Sequence, residues 1–455
     1  MASGRTPDEQ AALKHLWMPT QNWADIAENG VDFIEEGRGV RIRDGRGRWG
    51  YDGVAGLMLV NVGHGRDEIA DVVAAQLRTL GYASTFRYAT GPVARFAAKV
   101  ASLTPGDLNR VAFTSGGSEA VETALKIAYR YHTNRGEPGR VKVIARDNSY
   151  HGTSRGALSV STSRYLDRPS YEPILPSTTR IAPQPLHYRG AEPGEDEDAF
   201  ARRCAQAVED IILAEGPETV SAVIAEPVSF SAAVAVPGPS YWPMLRQICE
   251  RHGVLLIADE VITGFGRTGR WFGVEHWGVV PDIMTMAKGI TSGYFPVGAC
   301  VVRDEVFAAF QGGPDTTYRH GFTYGGHPAG GAAGLANVAI MEREGLVENS
   351  RVLGEHMLTR LRALMASHPT VGDVRGLGLM CAVDLVADRA TKEPLIVRPE
   401  VLRHLNAGLS DAGLFTRATN AVYLAPPLSI TRAELDEVVD IIDTALGATE
   451  RAFGF

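Results

Sequence analysis

The stretch from residue 253 to residue 288 constrains this chain more than any other. It contains two short apolar runs, residues 254–258 and 282–287, which are typical of strands buried in a parallel sheet. One ionisable residue follows each run, Asp259 after the first and Lys288 after the second. Because ligands bind outside the carboxyl ends of the strands in open α/β sheets, a carboxylate and an amine are expected to face one crevice.

A carboxylate and an amine in one crevice suit a cofactor that carries an aldehyde and a pyridine nitrogen. The amine of Lys288 can condense with the aldehyde, and Asp259 can pair with the protonated ring nitrogen. The amine must be partly deprotonated to react, which burial favours. Taken alone, a lysine after a strand is more often a solvated surface residue, and an aspartate there more often caps a turn.

Length and composition fit a large α/β protein. A chain of 455 residues suggests two or three domains, and 45% apolar residues can fill a large core. The net charge of −8 argues against a nucleic-acid partner. The four cysteines, at positions 204, 249, 300 and 381, have no paired spacing, which fits reduced thiols better than disulfides or a zinc site. No metal is therefore predicted.

No segment suggests export or a membrane partner. The N-terminal sequence MASGRTPDEQ lacks the apolar stretch of a signal peptide. No run approaches the roughly 20 apolar residues that span a bilayer. The expected location is the cytoplasm.

Strand and helix patterns alternate from about residue 109 to residue 302, which predicts a parallel sheet with crossover helices. Before this region, residues 39–53 predict a small antiparallel sheet with an Asp44-Gly45 turn. Within the region, residues 161–198 are rich in Pro, Ser, Arg and acidic residues and predict a long irregular excursion.

After residue 328 the pattern predicts an α+β domain, in which residues 372–385 form one strand with a glycine-rich start. The predicted divisions are an N-terminal arm and part of the small domain at 1–60, a large domain at 61–328 and a C-terminal small domain at 329–455.

Residues 115–120, Ser-Gly-Gly-Ser-Glu-Ala, suit a phosphate. A strand leads into a Gly-Gly turn and Ser118 opens a helix, whose first N–H groups and positive dipole end attract an anion. Gly117 allows close approach of the backbone. Many helices begin with Gly-Ser, so by itself this motif predicts only a helix start.

Six short motifs together are more specific. They are, in order, SGGSEA (115–120), YHG (150–152), AEP (225–227), DEVITGFGR (259–267), AKG (287–289) and FTYGGHP (322–328). In these residues and their order the chain resembles the class III, fold-type I, pyridoxal 5'-phosphate (PLP) aminotransferases of the ω-aminotransferase group, over nearly its whole length. The resemblance implies an α/β fold: a large domain whose mainly parallel central sheet has helices on both faces, and a smaller α+β domain built from both termini.

The resemblance also implies roles for motif residues. Lys288 would be the Schiff-base lysine and Asp259 the partner of the pyridinium nitrogen. Gly117 and Ser118 would form the phosphate cup.

Further implied contacts surround the cofactor ring and its phosphate. Tyr150 would stack on one face of the ring and Val261 would press on the other, although each also suits a core. Thr323 would reach the phosphate of a partner subunit, which implies a homodimer with shared sites, or a tetramer; the sequence itself shows only a polar loop. His151 is given no catalytic role and is interpreted as a hydrogen-bonded structural residue.

The substrate side is implied by five residues. Arg417 would bind a substrate carboxylate bidentately, and Glu226, near the cofactor, would neutralise Arg417 when an uncharged group must fit. Trp17, in the arm, either lines the pocket or packs the arm down. Where many relatives have a tryptophan this chain has Met58, whose flexible thioether widens the pocket; Phe86 is a further pocket candidate.

The implied reaction is a ping-pong transamination, in which an amine or ω-amino acid donates its amino group to a keto acid such as pyruvate through pyridoxamine phosphate. A class III aminomutase or racemase shares Lys288 and Asp259 and is the alternative; an isomerised product formed without any keto acid would favour it. A cofactor-binding regulatory or scaffold protein is a third hypothesis, against which the intact site residues argue. Diamines, ω-amino acids, taurine-like and arylalkyl amines all remain open as donors.

Overall fold

The computed structural model describes residues 6–455. Residues 1–5 lie outside the described part. The predicted N-terminal arm begins with them, and so does the segment that was judged to lack a signal peptide. The strands are β1 (Ile34–Arg38), β2 (Arg41–Asp44), β3 (Trp49–Asp52), β4 (Leu108–Thr114), β5 (Lys142–Arg146), β6 (Thr179–Ala182), β7 (Val220–Ala225), β8 (Leu255–Asp259), β9 (Ile283–Met286), β10 (Gly298–Arg303), β11 (Val371–Gly376), β12 (Cys381–Asp388), β13 (Glu393–Pro394), β14 (Leu414–Phe415) and β15 (Ala421–Leu424).

The helices alternate with these strands. They are α1 (Pro7–His15), α2 (Trp23–Asn29), α3 (Ala55–Met58), α4 (Asp67–Thr79), α5 (Gly91–Leu103), α6 (Gly117–Asn134), α7 (Arg155–Val160), α8 (Arg168–Tyr171), α9 (His187–Gly190), α10 (Glu197–Glu215), α11 (Tyr241–His252), α12 (Asp304–Ala308), α13 (Pro328–Arg343), α14 (Leu346–Ala363), α15 (Pro399–Asp411) and α16 (Arg432–Phe453).

A seven-stranded sheet forms the centre of the protein, in the order β4-β10-β9-β8-β7-β5-β6. The five strands at one end of this order, β9, β8, β7, β5 and β6, pair in parallel, and β10 runs antiparallel to both of its neighbours, β9 and β4. Every residue of β7 and of β8 is buried, which explains why both are apolar without alternation. The predicted mainly parallel sheet is confirmed.

Helices cover both faces of this sheet. In β7, Ala222 and Ile224 pack in the apolar cluster that contains the buried residues of α6. The alternate residues, Val223 and Ala225, pack in a second cluster with residues of α10 and α11, among them Trp242. Successive side chains of a strand point to opposite faces, so α6 covers one face of the sheet and α10 and α11 the other.

Two smaller sheets lie outside the central one. The first has the order β1-β2-β3-β14, and its β14 pairs in parallel with β3, so that segments from both ends of the chain meet in one sheet. The second consists of β11, β12, β13 and β15. The small α+β part built from both termini is thereby confirmed, whereas the boundaries at residues 60 and 328 stay predictions.

The irregular excursion predicted at residues 161–198 is wrong in part. It contains β6, which pairs in parallel with β5 at the edge of the central sheet, and the short helices α8 and α9. Three of the four residues of β6 are not buried. An edge strand of this kind lacks the continuous apolar run by which the central strands could be predicted.

The single strand predicted at residues 372–385 is also wrong. The segment forms two antiparallel strands, β11 and β12, joined by a turn in which the Leu377 N–H donates to the Met380 carbonyl at 3.0 Å. Gly378 in this turn has φ 58°, a left-handed conformation that glycine adopts without strain. Gly372 and Gly376 therefore belong to β11, and Gly378 lies in the reversal of the chain that separates the two strands.

Within residues 6–455 no helix is both long enough and apolar enough to cross a membrane. All four cysteines are free and buried.

A buried histidine joins α16 to the segment before β11. His368 is 4% exposed; its Nδ1 lies 2.7 Å from Glu450 Oε2 and its Nε2 lies 2.6 Å from Asp443 Oδ1. Burial alone would lower the pKa of His368, but the bonds to Asp443 and Glu450 outweigh it and raise the pKa. A raised pKa in the folded state means stability that is present at acid pH and lost as the pH rises through that pKa.

We expect His368→Gln to destabilise the fold at pH 6 by roughly 1.5–3 kcal/mol, the worth of a charged hydrogen bond, and by much less at pH 9. Denaturant unfolding at both pH values measures the difference. His404→Gln is the control, because His404 Nδ1 bonds to the neutral Thr449 hydroxyl at 3.1 Å. An equal cost of His368→Gln at both pH values would contradict the assignment.

Candidate active site

Four charged side chains lie at or just beyond the carboxyl ends of four adjacent strands, β5, β7, β8 and β9. They are Arg146, Glu226, Asp259 and Lys288. Strands β8 and β9 are parallel neighbours, as the sequence predicted, and Asp259 is paired with Thr285 across them. The ends of the central strands thus bring two acids and two bases to one edge of the sheet.

Asp259 is 3% exposed and accepts three hydrogen bonds. Its Oδ2 lies 2.6 Å from His151 Nδ1, while its Oδ1 accepts from the Thr285 hydroxyl at 3.0 Å and from the Val261 N–H at 3.1 Å. These contacts fix the carboxylate in place. His151 is therefore hydrogen-bonded, as interpreted from the sequence, and its partner is the predicted ring-nitrogen ligand.

Lys288 begins a short 3₁₀ turn, Lys288–Ile290, directly after β9 and Ala287. Its φ is 49°, a left-handed conformation that costs energy in any residue but glycine. Burial lowers the pKa of its amine to about 8, and the positive charge of Arg267 adds to this effect, while Asp259 and Glu226 oppose it. A lowered pKa supplies the neutral amine that condensation with an aldehyde needs.

The N-terminus of α6 lies against Val261, two residues beyond Asp259 in the chain. Helix α6 begins at Gly117 and has no side-chain cap, so the N–H groups of its first turn are available to an anion. A Cβ atom on Gly117 would lie 3.0 Å from Val261 Cγ1, a tight contact that would require Val261 to shift by a few tenths of an ångström. Ser118 follows, and its Oγ accepts from the Thr153 N–H at 3.1 Å. The predicted phosphate cup and Val261 are thus in direct contact.

Tyr150 and Glu226 are also brought together. The Tyr150 N–H donates to Glu226 Oε1 at 3.2 Å, and burial together with the nearby charge of Asp259 raises the pKa of the Tyr150 hydroxyl. Glu226 is buried, and its Oε2 lies 3.2 Å from Arg146 Nη2. Arg146 is itself 1% exposed, so Glu226 has a permanent buried counter-cation.

The structure does not bring Glu226 and Arg417 into an ion pair. Arg417 is exposed, and its guanidinium lies 5.1 Å from the centre of the Tyr165 ring. Tyr165 in turn contacts the Tyr423 hydroxyl at 2.7 Å, which holds it against the loop that carries Arg417. Glu226 is paired with Arg146 instead, and the implied roles of Arg417 and Glu226 toward the substrate stay predictions.

The remaining predicted residues lie apart from the strand ends. Trp17 is 85% exposed, and Thr323 and Phe86 are exposed as well. Met58 is buried and has a left-handed φ of 56°. None of the four is placed within the strand-end cluster by a contact of the described chain, so their roles stay predictions.

Roles for Arg146, Tyr165 and Arg267 were not predicted from the sequence. Arg146 and Arg267 are almost fully buried, which is rare for arginine. Arg146 closes an apolar run at the end of β5, and Arg267 closes the DEVITGFGR motif. Those positions could have indicated that both arginines are functional, but neither position reveals the distant residue that each arginine contacts.

The residues present fit PLP, the predicted cofactor. The open first turn of α6 suits its phosphate, the Lys288 amine its aldehyde and the Asp259 carboxylate its ring nitrogen. His151 contacts Asp259 through its Nδ1, and its Nε2 is buried without a partner among the described residues, so Asp259 is the one hydrogen-bond partner that the ring has there. When bound, PLP condenses with an amine and withdraws electrons from the adjacent carbon, which makes the proton on that carbon acidic.

Several curated proteins are similar to this chain over nearly its whole length. A probable aminotransferase of Mycobacterium tuberculosis is 42% identical and covers 98% of this chain and 97% of its own. A putrescine–pyruvate aminotransferase of Pseudomonas aeruginosa is 36% identical, with coverage of 99% and 98%. A taurine–pyruvate aminotransferase of Bilophila wadsworthia is 38% identical, with coverage of 92% and 93%.

Solved structures give the same result. An (S)-enantioselective omega-transaminase from Thermomicrobium roseum superposes with a TM-score of 0.92 at 39% identity, with coverage of 97% and 98%. An amine transaminase from an uncultivated Pseudomonas species, solved in its PLP-bound form, gives 0.92 at 38% identity, with coverage of 96% and 99%. The family model described as "Aminotransferase class-III" matches residues 25–446. The chain therefore belongs to the class III aminotransferases, fold-type I enzymes that catalyse transamination with PLP as cofactor.

Proposed function

We propose that this enzyme transfers the amino group of a primary amine or ω-amino acid to a small keto acid such as pyruvate. The observation that carries the proposal is the Lys288 amine, partly buried after β9 beside Asp259 at the end of β8, with its pKa lowered to about 8. At pH 7 roughly one such amine in ten is neutral and able to react.

Lys288 and Asp259 divide the chemical work. Asp259, held by three hydrogen bonds, keeps the ring nitrogen protonated and so maintains the electron withdrawal. The substrate amine would take the place of the Lys288 amine on the cofactor. The freed Lys288 Nζ would then remove the proton from the substrate carbon as general base and later return a proton as general acid. Both groups lie at strand ends, which are rigid supports for such transfers.

Arg417 is our proposed ligand for the acceptor's carboxylate. It is exposed and stands over the Tyr165 ring, so its side chain has room to turn inward. A guanidinium binds a carboxylate bidentately. For a donor without a carboxylate, Arg417 stays outward, because the buried Arg146–Glu226 pair leaves Glu226 little free charge with which to neutralise it.

The donor is proposed to be an amine that lacks a carboxylate next to its amino group. Putrescine and taurine, named for two relatives, share that feature. Met58 supports room for a bulky or flexible donor chain, because a thioether adapts its shape. Trp17 and Phe86 are exposed in the single chain and would line this pocket once a partner subunit covers them.

A homodimer, or a tetramer made of such dimers, is proposed to complete the site. The aromatic surface, which we define as Tyr82, Phe86, Tyr88 and Tyr324, includes side chains up to 68% exposed. It is continuous with the loop of Thr323, since the Tyr82 hydroxyl donates to the Thr323 carbonyl at 2.8 Å. Exposed aromatic clusters of this kind mark protein interfaces, and a partner there would receive Thr323 beside its phosphate cup. The four free, buried cysteines support a cytoplasmic location.

We expect Lys288→Ala to lose the yellow colour of the bound cofactor and to reduce turnover to background, since no other strand-end amine can condense with PLP. Lys142→Ala is the matched control, because Lys142 bonds to Glu215 away from the site. Absorbance spectra and borohydride trapping measure the covalent link. Trapping at an unchanged level in Lys288→Ala would refute the assignment.

We expect Asp259→Asn to bind PLP but to lose turnover at least about tenfold, because an amide cannot hold the ring nitrogen protonated. His151→Gln should have a smaller effect in the same direction, since it only loosens the carboxylate. Turnover and PLP affinity are measured for both variants. Turnover of Asp259→Asn within twofold of the unchanged enzyme would exclude the ring-nitrogen role.

We expect Arg417→Ala to slow the half-reaction with pyruvate about ten- to a hundredfold, the worth of a lost charged contact of roughly 1.5–3 kcal/mol. The half-reaction with a simple amine should change little, because no carboxylate contact is lost there. Stopped-flow measurement of each half-reaction separates the two. Arg164→Ala, also exposed and next to Tyr165 in the chain, is the control; equal damage to both half-reactions would show that Arg417 is structural.

A further inference from the structure

The backbone directly after Lys288 is held by two buried asparagines from distant parts of the chain. In the turn Lys288–Ile290 the Ile290 N–H donates to the Ala287 carbonyl at 3.0 Å, which leaves the carbonyls of Gly289 and Ile290 to other partners. Asn337 supplies these: its Nδ2 donates to the Gly289 carbonyl at 2.9 Å and to the Ile290 carbonyl at 3.2 Å.

Asn337 is an unfavourable residue for its position. It lies within the Ala- and Gly-rich helix α13, is fully buried, and its Oδ1 has no hydrogen-bond partner among the described residues. Asparagine is a weaker helix former than alanine, and a buried amide oxygen without a partner destabilises a fold. The contact with the lysine turn is the compensating interaction that the structure offers.

Asn61 holds the same turn from another side. A Cβ atom on Gly289 would overlap the Asn61 side-chain amide, so the two are packed as closely as a glycine allows. Asn61 cannot move away, because its Nδ2 donates to the Phe265 carbonyl at 2.8 Å and its Oδ1 accepts from Arg267 Nη2 at 2.7 Å.

The turn needs such support, because Lys288 itself is strained. A φ of 49° is costly for a residue with a side chain and persists only where the surroundings impose it. Relaxation of that angle would turn the side chain away from its position beyond the ends of β8 and β9. A displacement of about 1 Å at a reacting group can cost a hundredfold in rate.

We propose that Asn337 and Asn61 are positioning residues that fix the Lys288–Ile290 turn and thereby aim the Lys288 amine at the aldehyde of PLP. The proposal rests on the proposed role of Lys288. It assigns to two side chains outside the family motifs quoted above a direct effect on the capture of the cofactor.

The test measures covalent capture of PLP by the full-length protein after its cofactor has been removed. In this step the Lys288 nitrogen bonds to the aldehyde carbon, and the aldehyde oxygen leaves as water. Borohydride added at timed intervals reduces the new bond, and the mass of the peptide that contains Lys288 reports the captured fraction. The variants are Asn337→Leu, which is nearly isosteric, and Asn61→Ala.

The matched control is Asn134→Leu. Asn134 also donates its Nδ2 to two backbone carbonyls, those of Ala309 at 3.0 Å and Thr316 at 3.2 Å, and it lies at the end of α6 opposite Gly117. We expect Asn337→Leu to slow capture about ten- to a hundredfold and Asn134→Leu to stay within about twofold of the unchanged protein.

Two further readouts separate positioning from a general loss of structure. The pH at which capture is half-maximal should move upward from about 8 toward 10.5, because an amine released from its buried position regains the ordinary lysine pKa. Binding of pyridoxine 5'-phosphate, which has no aldehyde, should keep its affinity, since the N-terminus of α6 does not contact Asn337.

Capture by Asn337→Leu and Asn61→Ala at the unchanged rate and pH would overturn the inference, as would equal slowing by Asn134→Leu. If Asn337→Leu does not fold, Asn61→Ala alone decides in the same assay. Capture by the unchanged protein at a residue other than Lys288 would instead refute the proposed function, so the two failures are distinguishable.

Discussion

The pairing of β8 with β9 is the constraint on which the site depends. Because the two strands are parallel and buried, their last residues lie side by side, and Asp259 is paired with Thr285 just before the chain reaches Lys288. A one-residue slip would turn Asp259 toward the opposite face of the sheet. The register therefore determines both which groups meet and which of them are desolvated.

The charged groups at the strand ends have separate partners. Asp259, the proposed partner of the ring nitrogen, accepts three hydrogen bonds, while the neighbouring acid Glu226 is neutralised by Arg146. Arg267, which has no carboxylate partner among the described residues, adds positive charge near Lys288. The buried cations thus compensate one acid and lower the pKa of the lysine amine without occupying the crevice.

Local features of the sequence were enough to predict the central strands, the helix at Gly117 and the positions of Asp259 and Lys288, because each depends on a few consecutive residues. Contacts between distant segments could not be predicted. Arg146 and Glu226 are 80 residues apart, and Asn337 lies 48 residues from Gly289. The exposed edge strand β6 was missed for a different reason, since it has no apolar run.

Arg267 also has a consequence for the order in which the molecule can be completed. Its guanidinium donates to the carbonyls of Leu379 and Pro426 as well as to Asn61, which packs on Gly289 beside Lys288. During synthesis on the ribosome, Lys288 is added to the chain long before Pro426. Arg267 therefore acquires its partners only when almost the entire polypeptide has been made. If Asn61 positions the lysine turn as we propose, efficient cofactor capture requires the finished chain.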